Sequence, residues 1–126
     1  MSLRSPLGRV LGLGSAKDGT EHWWGQRVTA VALLLLGLWF VVSLIGLESF
    51  TYLDVIRFVG QPLNGILLAL FCITVTYHSY LGVRVVIEDY VHTHGLKLVA
   101  LIASKFGHVF IGVATLYAIL SIGLGT

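Results

Sequence analysis

The amino-acid sequence predicts an all-α membrane protein with three transmembrane helices. The first observation is composition, because 56% of the 126 residues are hydrophobic and only 11% are charged. A soluble domain of ordinary composition carries about 25% charged residues. The second observation is that the apolar residues form three long runs, without the alternating ten-residue pattern of a membrane β-barrel. Because a segment in lipid must satisfy its own backbone hydrogen bonds, each run is expected to be a helix.

The first apolar run, residues 28–47, contains 20 residues without a charge, which is enough to cross the bilayer core of about 30 Å. The preceding segment, residues 1–27, carries glycines and charges and lacks the apolar core of a signal peptide. The first membrane helix itself is therefore expected to direct insertion. Residues 48–61 hold three charged side chains and are interpreted as a short connection, with a surface helical turn as one option.

The second run is expected to begin near Pro62, a residue suited to the first turn of a helix because it lacks a backbone N–H. It continues to about residue 87 and is predicted to be the second span. Unlike the first run, it contains two ionisable residues, His78 and Arg84, so it is the first place to look for function.

The third run, about residues 96–124, carries Lys105 and His108. Lys105 is expected either to extend to a lipid headgroup or to face a partner protein. The single cysteine, Cys72, lies in an apolar run and is expected to be a small buried residue, since one thiol cannot form an intrachain disulfide. No internal repeat divides the chain, so residues 1–126 are predicted to form one membrane domain.

The distribution of basic residues predicts the orientation of the chain in the membrane. Six of them lie before the first span or beside the connection between the second and third spans: Arg4, Arg9, Lys17, Arg27, Arg84 and Lys97. The connection after the first span holds only Arg57. The positive-inside rule then predicts a cytoplasmic N-terminus and a periplasmic C-terminus. The net charge of +2 is too small to suggest a nucleic-acid partner.

The ionisable residues of the second span suggest cofactor binding. His78 lies ten residues before Glu88, where the helix is expected to end, so it is roughly 15 Å deep. A neutral imidazole there could ligate a haem iron, and Arg27 at the surface could contact the haem propionates. His108, at a similar depth, is the candidate second ligand within this chain, and a histidine from another protein is the alternative. The alternative is that His78 hydrogen-bonds a neighbouring helix and that Gly82 serves plain helix packing.

Asp89 and Tyr90 lie where the second helix is expected to reach the cytoplasmic interface. A tyrosine hydroxyl could donate a hydrogen bond to a quinone carbonyl at that depth. A nearby carboxylate could help to supply the protons that reduction to quinol requires. The alternative is that Tyr90 is an ordinary interfacial aromatic residue and that Asp89 is a solvated helix end. The residues by themselves leave both interpretations open.

The stretch "HSYLGVRVVIEDY", residues 78–90, resembles the signature of the small hydrophobic membrane anchor of bacterial succinate dehydrogenase (complex II). That signature has a histidine, a glycine four residues later, and an Asp-Tyr pair eleven and twelve residues after the histidine. Here these positions are His78, Gly82, Asp89 and Tyr90. The segment "GSAKDGTEHWWGQRVTA" is similar to the approach to the first helix in alphaproteobacterial members, and the resemblance covers about residue 7 to the C-terminus.

The resemblance implies a haem site shared between two chains. His78 would be an axial ligand of haem b, and the other ligand would come from the sister anchor, the cytochrome b556 subunit. Arg27 and His22 would contact the haem propionates. His108 matches no motif of the family and would have a packing role.

The resemblance also implies a quinone site and a set of partners. Tyr90 would hydrogen-bond ubiquinone, with Asp89 supporting that site. The chain would be a multi-pass anchor in the bacterial inner membrane, part of a succinate:ubiquinone oxidoreductase with an iron–sulfur subunit and a flavoprotein subunit. It would not oxidise succinate itself. The alternatives are an anchor of a quinol:fumarate reductase and a non-redox structural or assembly protein of the membrane.

Overall fold

Residues 16–125 are described by a computed structural model, and their regular structure is entirely helical. The four helices are α1 (Ala16–Ile45), α2 (Tyr52–Gly60), α3 (Pro62–Tyr90) and α4 (His94–Leu124). Three of them are long and apolar enough to cross a membrane, namely Gly19–Ile45 within α1, all of α3 and all of α4. The predicted all-α fold with three transmembrane helices is confirmed. Arg4 and Arg9, which contributed to the predicted orientation, lie outside the described residues.

Helix α1 begins at Ala16, twelve residues before the predicted span at residue 28. No proline interrupts residues 16–27, so the backbone hydrogen bonds of the helix continue through this polar segment. As a result, the polar residues His22 and Arg27 belong to the same rigid helix as the apolar run. The helix ends at Ile45, just before a glycine.

Helix α2 is nine residues long and lies in the segment predicted to be a short connection, for which a surface helical turn was one option. Its first turn is capped by Thr51, whose hydroxyl oxygen accepts a hydrogen bond from the Asp54 backbone N–H at 3.3 Å. The hydroxyls of Ser49 and Thr51 in turn donate to the Asp54 carboxylate. These two hydrogen bonds hold the pKa of Asp54 below its ordinary value, so the carboxylate stays ionised at the start of the helix.

Helix α3 is the centre of the molecule, because it packs against α1, α2 and α4, whereas α1 and α4 make no mutual contact within residues 16–125. It begins with Pro62 in its first turn, as expected. It ends at Tyr90, where the Val91 N–H donates to the Ile87 carbonyl at 3.0 Å. Two side chains of α3, Cys72 and Leu81, are the buried residues of the described chain. Most other apolar side chains face outward, as expected for helices that contact lipid or partner subunits.

Gly25 lies at a close contact between α1 and α3. A Cβ atom at this position would lie 3.2 Å from Leu81 Cδ1 and 3.4 Å from the Tyr77 hydroxyl. Small residues at such crossings let two helix backbones approach closely. The resulting van der Waals contacts help to hold helices together in lipid.

Replacing Gly25 by Val should separate α1 from α3, because the larger side chain meets Leu81 and Tyr77. We expect a loss of about 1–3 kcal/mol in the stability of the full chain, measured by thermal unfolding in detergent. Gly19→Val is the matched control, since Gly19 lies in the same helix and has nothing within 4 Å among the described residues. Equal destabilisation by the two substitutions would contradict the proposed close packing.

Candidate functional site

His78 on α3 is directed at α1, where its partner is the hydroxyl of Thr29. The distance between His78 Nδ1 and Thr29 Oγ1 is 2.8 Å. The Thr29 hydroxyl also lies 2.6 Å from Gly25 O and 3.2 Å from Gln26 O, two backbone carbonyls of its own helix. The imidazole is half-buried in the contact between the two helices. His78 therefore has one ring nitrogen engaged in a hydrogen bond and the other free to bind a ligand.

The hydroxyl of Thr29 determines which nitrogen of His78 carries the proton. A hydroxyl has one hydrogen, and a carbonyl oxygen can only accept, so the short contact with Gly25 O uses that hydrogen. The Thr29 oxygen must then accept from His78, which places the imidazole proton on Nδ1. Nε2 keeps its lone pair, and it has no hydrogen-bond partner within residues 16–125. A neutral imidazole with a free Nε2 is the form that ligates metals.

His22 lies on the same face of α1 as Thr29, two turns earlier in the helix. Its Nε2 N–H donates to the carbonyl oxygen of Leu81 on α3 at 3.3 Å. Arg27 lies on a different face of the helix, where its guanidinium stacks over the Trp23 ring at 5.5 Å from the ring centroid. The structure therefore brings His22 and His78 to the same helix contact and leaves Arg27 on the exposed surface.

Four residues of α1 that face α3 share the spacing of one helix face: His22, Gly25, Gln26 and Thr29. Sequence reasoning missed Thr29 and Gln26, although their spacing from His22 is a signal that could have found them. Gln26 Oε1 is buried and lacks a hydrogen-bond partner among the described residues. Its amide nitrogen would lie 3.8 Å from a Cβ added at Gly82. At Gly82 the observed contact is therefore helix packing against α1.

His108 lies on α4, on the opposite side of α3 from the contact with α1. Its Nδ1 N–H donates to the Ser104 carbonyl at 2.7 Å, and its Nε2 accepts a hydrogen bond from the Ser79 hydroxyl at 3.1 Å. The ring also packs edge-on against Tyr80, with centroids 5.8 Å apart. Because both nitrogens are engaged within the chain, the geometry gives His108 a packing role between α3 and α4.

Lys105 lines a groove of about 350 Å³ between α3 and α4, whose other walls are mainly apolar and aromatic. Tyr77, Tyr80 and His108 contribute to the same groove. Neither His78 nor Thr29 lines this groove. The described residues contain no cluster of three or more potential metal ligands, and His78 offers a single ligand atom.

Asp89 and Tyr90 occupy the last turn of α3. Both side chains are exposed and neither has a side-chain hydrogen bond within the described residues; Tyr90 is 78% exposed. The turn is held in place by Glu88, whose carboxylate accepts from Arg84 Nε at 2.7 Å and whose carbonyl accepts from Lys97 Nζ at 2.9 Å. Arg84 thus has an intrahelical partner. The Tyr90 phenol and the Asp89 carboxylate are therefore exposed at a helix end that a hydrogen bond from Lys97 joins to α4.

Comparisons with known proteins agree with this architecture. A sequence profile of the family described as "Succinate dehydrogenase/Fumarate reductase transmembrane subunit" matches residues 1–120. The chain is 34% identical over 116 residues to the succinate dehydrogenase hydrophobic membrane anchor subunit of Rickettsia bellii (strain RML369-C), which covers 92% of this chain and 93% of the relative. It is 33% identical over 121 residues to the protein of the same name from Paracoccus denitrificans, covering 96% and 93%. The succinate dehydrogenase membrane anchor subunit of Reclinomonas americana is 33% identical over 90 residues, covering 68% and 73%.

Proposed function

The chain belongs to the family of succinate dehydrogenase and fumarate reductase transmembrane subunits, and we propose that it binds haem b and ubiquinone in a succinate:ubiquinone oxidoreductase. As a succinate dehydrogenase membrane anchor with three apolar spans, it is a multi-pass protein of the bacterial inner membrane. The named relatives are succinate dehydrogenase subunits, which favours this direction over quinol:fumarate reduction.

The observation that carries the haem proposal is the 2.8 Å contact between His78 Nδ1 and the Thr29 hydroxyl oxygen. Because Thr29 accepts the hydrogen bond from Nδ1, Nε2 is available as an axial ligand without any change of tautomer. A metal-ligating histidine almost always donates its other N–H to a fixed acceptor, and His78 already has one. Bound haem b supplies a one-electron redox centre within the span. The second ligand would come from the partner anchor, the cytochrome b556 subunit, because within this chain both nitrogens of His108 are already engaged.

Arg27 is the stronger of the two candidates for holding the haem propionates. Its guanidinium is exposed, and stacking on Trp23 leaves the N–H groups in the plane of the guanidinium free to donate. His22 already uses its Nε2 N–H on the Leu81 carbonyl. A propionate would have to take over that N–H from the Leu81 carbonyl. We therefore propose that Arg27 makes the main contact and that His22 supports it.

Tyr90 and Asp89 form the quinone-binding end of α3. The phenolic O–H of Tyr90, which has no partner among the described residues, donates a hydrogen bond to a ubiquinone carbonyl. The Asp89 carboxylate beside it is exposed and can pass protons from the cytoplasm, since two protons are needed for each quinol. In a regular helix the twelve residues from His78 to Tyr90 span roughly 18 Å. Haem and quinone thus occupy different depths along one helix.

The predicted orientation fits these roles and is part of the proposal. With the N-terminus in the cytoplasm, the Tyr90 end of α3 also lies on the cytoplasmic side of the membrane. There it meets the iron–sulfur and flavoprotein subunits, which oxidise succinate and deliver electrons. The chain contributes the anchor, part of the quinone pocket and one haem ligand. Its exposed apolar surface is covered by the cytochrome b556 subunit and by lipid.

Replacing His78 by Gln should remove or strongly perturb the b-type haem band in a reduced-minus-oxidised absorbance spectrum of the purified complex. The reason is that the variant lacks the imidazole nitrogen that binds the iron. His108→Gln is the matched control and should retain the band, because His108 is engaged with Ser79 and Ser104. An unchanged haem band in the His78 variant would refute the assignment of His78 as a haem ligand. Loss of the band in the His108 variant would assign the ligand role to His108 instead.

Replacing Tyr90 by Phe should lower succinate-to-ubiquinone activity about tenfold, the effect of losing one hydrogen bond of roughly 1.4 kcal/mol to the quinone. Succinate oxidation with a soluble dye acceptor should be unchanged. Tyr52→Phe is the matched control, since Tyr52 is also 78% exposed but lies in α2. If both activities fall together in the Tyr90 variant, the residue serves assembly instead of quinone binding.

A further inference from the structure

We propose that Thr29 is a positioning residue that fixes the His78 imidazole and lowers the reduction potential of the haem that this histidine binds. The inference rests on the proposed haem site and adds a residue of α1 to it. Thr29 itself touches neither iron nor quinone. It acts through the hydrogen bond between its hydroxyl oxygen and His78 Nδ1, 2.8 Å long, which joins α1 to α3.

Thr29 is held as an acceptor by its own helix. Its one hydroxyl hydrogen is directed to the Gly25 carbonyl, 2.6 Å away on the preceding turn. If the hydroxyl donated to His78 instead, two oxygen lone pairs would face each other at that short distance. The side chain is also β-branched, so few rotamers are open to it within a helix. The hydroxyl oxygen therefore presents a lone pair to His78 in a fixed direction.

Gly25 contributes twice to the same arrangement. Its carbonyl receives the Thr29 hydrogen, and its lack of a side chain lets α1 approach α3 to the distance at which Thr29 reaches His78. On the His78 side, Thr29 is the one hydrogen-bond partner of Nδ1 among the described residues. The orientation of the ring about its own axis thus depends on one hydroxyl and on the close contact that places it.

The direction of the effect on the potential follows from the direction of the hydrogen bond. Donation from Nδ1 raises the electron density on the imidazole and makes Nε2 a stronger base. A stronger nitrogen donor favours the ferric over the ferrous state and so lowers the reduction potential. Removal of the acceptor weakens this donation. The potential should then rise, while the haem, still ligated by His78, should remain bound.

The test uses the complete complex with Thr29→Val, which keeps the shape of the side chain and removes the hydroxyl, and with Thr29→Ser, which restores the hydroxyl. Thr74→Val is the matched control, because Thr74 lies one turn before His78 on α3 and its hydroxyl donates only to the Leu70 carbonyl, at 2.7 Å. Haem content and midpoint potential are measured by redox titration of the b-type absorbance band, and the ferric haem by electron paramagnetic resonance.

Thr29→Val should shift the haem reduction equilibrium toward the ferrous form by up to about tenfold, which is ~59 mV for a one-electron couple. It should also alter the ferric resonance, because the ring loses its fixed orientation. Thr29→Ser and Thr74→Val should both stay close to the parent protein. If Thr29→Val matches Thr74→Val in potential and resonance, the proposal is overturned.

If the Thr29→Val complex loses its haem altogether, the Thr29→Ser complex decides between a role of the hydroxyl and a purely structural role. Haem and potential restored by serine would support the hydroxyl as the acting group, whereas a serine variant that also lacks haem would show a structural role and overturn the proposal. A different result would show that His78 does not bind haem at all. In that case the His78→Gln complex keeps its haem, and the proposed function falls regardless of the Thr29 result.

Discussion

The close contact between α1 and α3 at Gly25 is the constraint on which the rest of the site depends. A Cβ there would lie 3.2 Å from Leu81 Cδ1, so a larger residue would require the Leu81 side chain or the helices to shift. Two hydrogen bonds cross the contact, from His22 to the Leu81 carbonyl and from His78 to Thr29. In lipid such bonds and tight packing take the place of the hydrophobic effect in holding helices together. The proposed haem ligand, His78, therefore belongs to the same few residues that pack α1 against α3.

Helix α3 separates the chemistry of this protein into three places. Its α1 side holds His78 with a free Nε2, and its α4 side holds His108 with both nitrogens engaged. Its end presents Asp89 and Tyr90 beyond a turn that Glu88 connects to Arg84 and Lys97. On the proposed function, one helix would carry both a haem ligand within the span and a polar end at the membrane interface.

Composition and apolar run length were enough to predict the number and type of membrane helices, because the bilayer imposes both length and backbone satisfaction. They were not enough to find where α1 begins. An apolar run indicates where the chain enters the lipid, whereas the helix already begins at Ala16, in the polar segment before that run. The sequence predicted His78 as a site residue but not its orientation. That depends on Thr29, which is 49 positions away in the chain and comes close only when α1 and α3 pack. The resemblance implied a packing role for His108, but its partners, Ser79 and Ser104, could be identified only from the packing of α3 against α4.

The central claim is that His78 binds haem through Nε2 while Thr29 accepts the hydrogen bond from Nδ1. An electron cryomicroscopy structure of the purified complex would test it most directly. The account predicts density for a haem whose iron is ligated by His78 Nε2, with Nδ1 within hydrogen-bond distance of Thr29 Oγ1 and a second axial ligand from the cytochrome b556 subunit. A haem iron ligated by His108, or a His78 side chain that does not contact the iron, would contradict it.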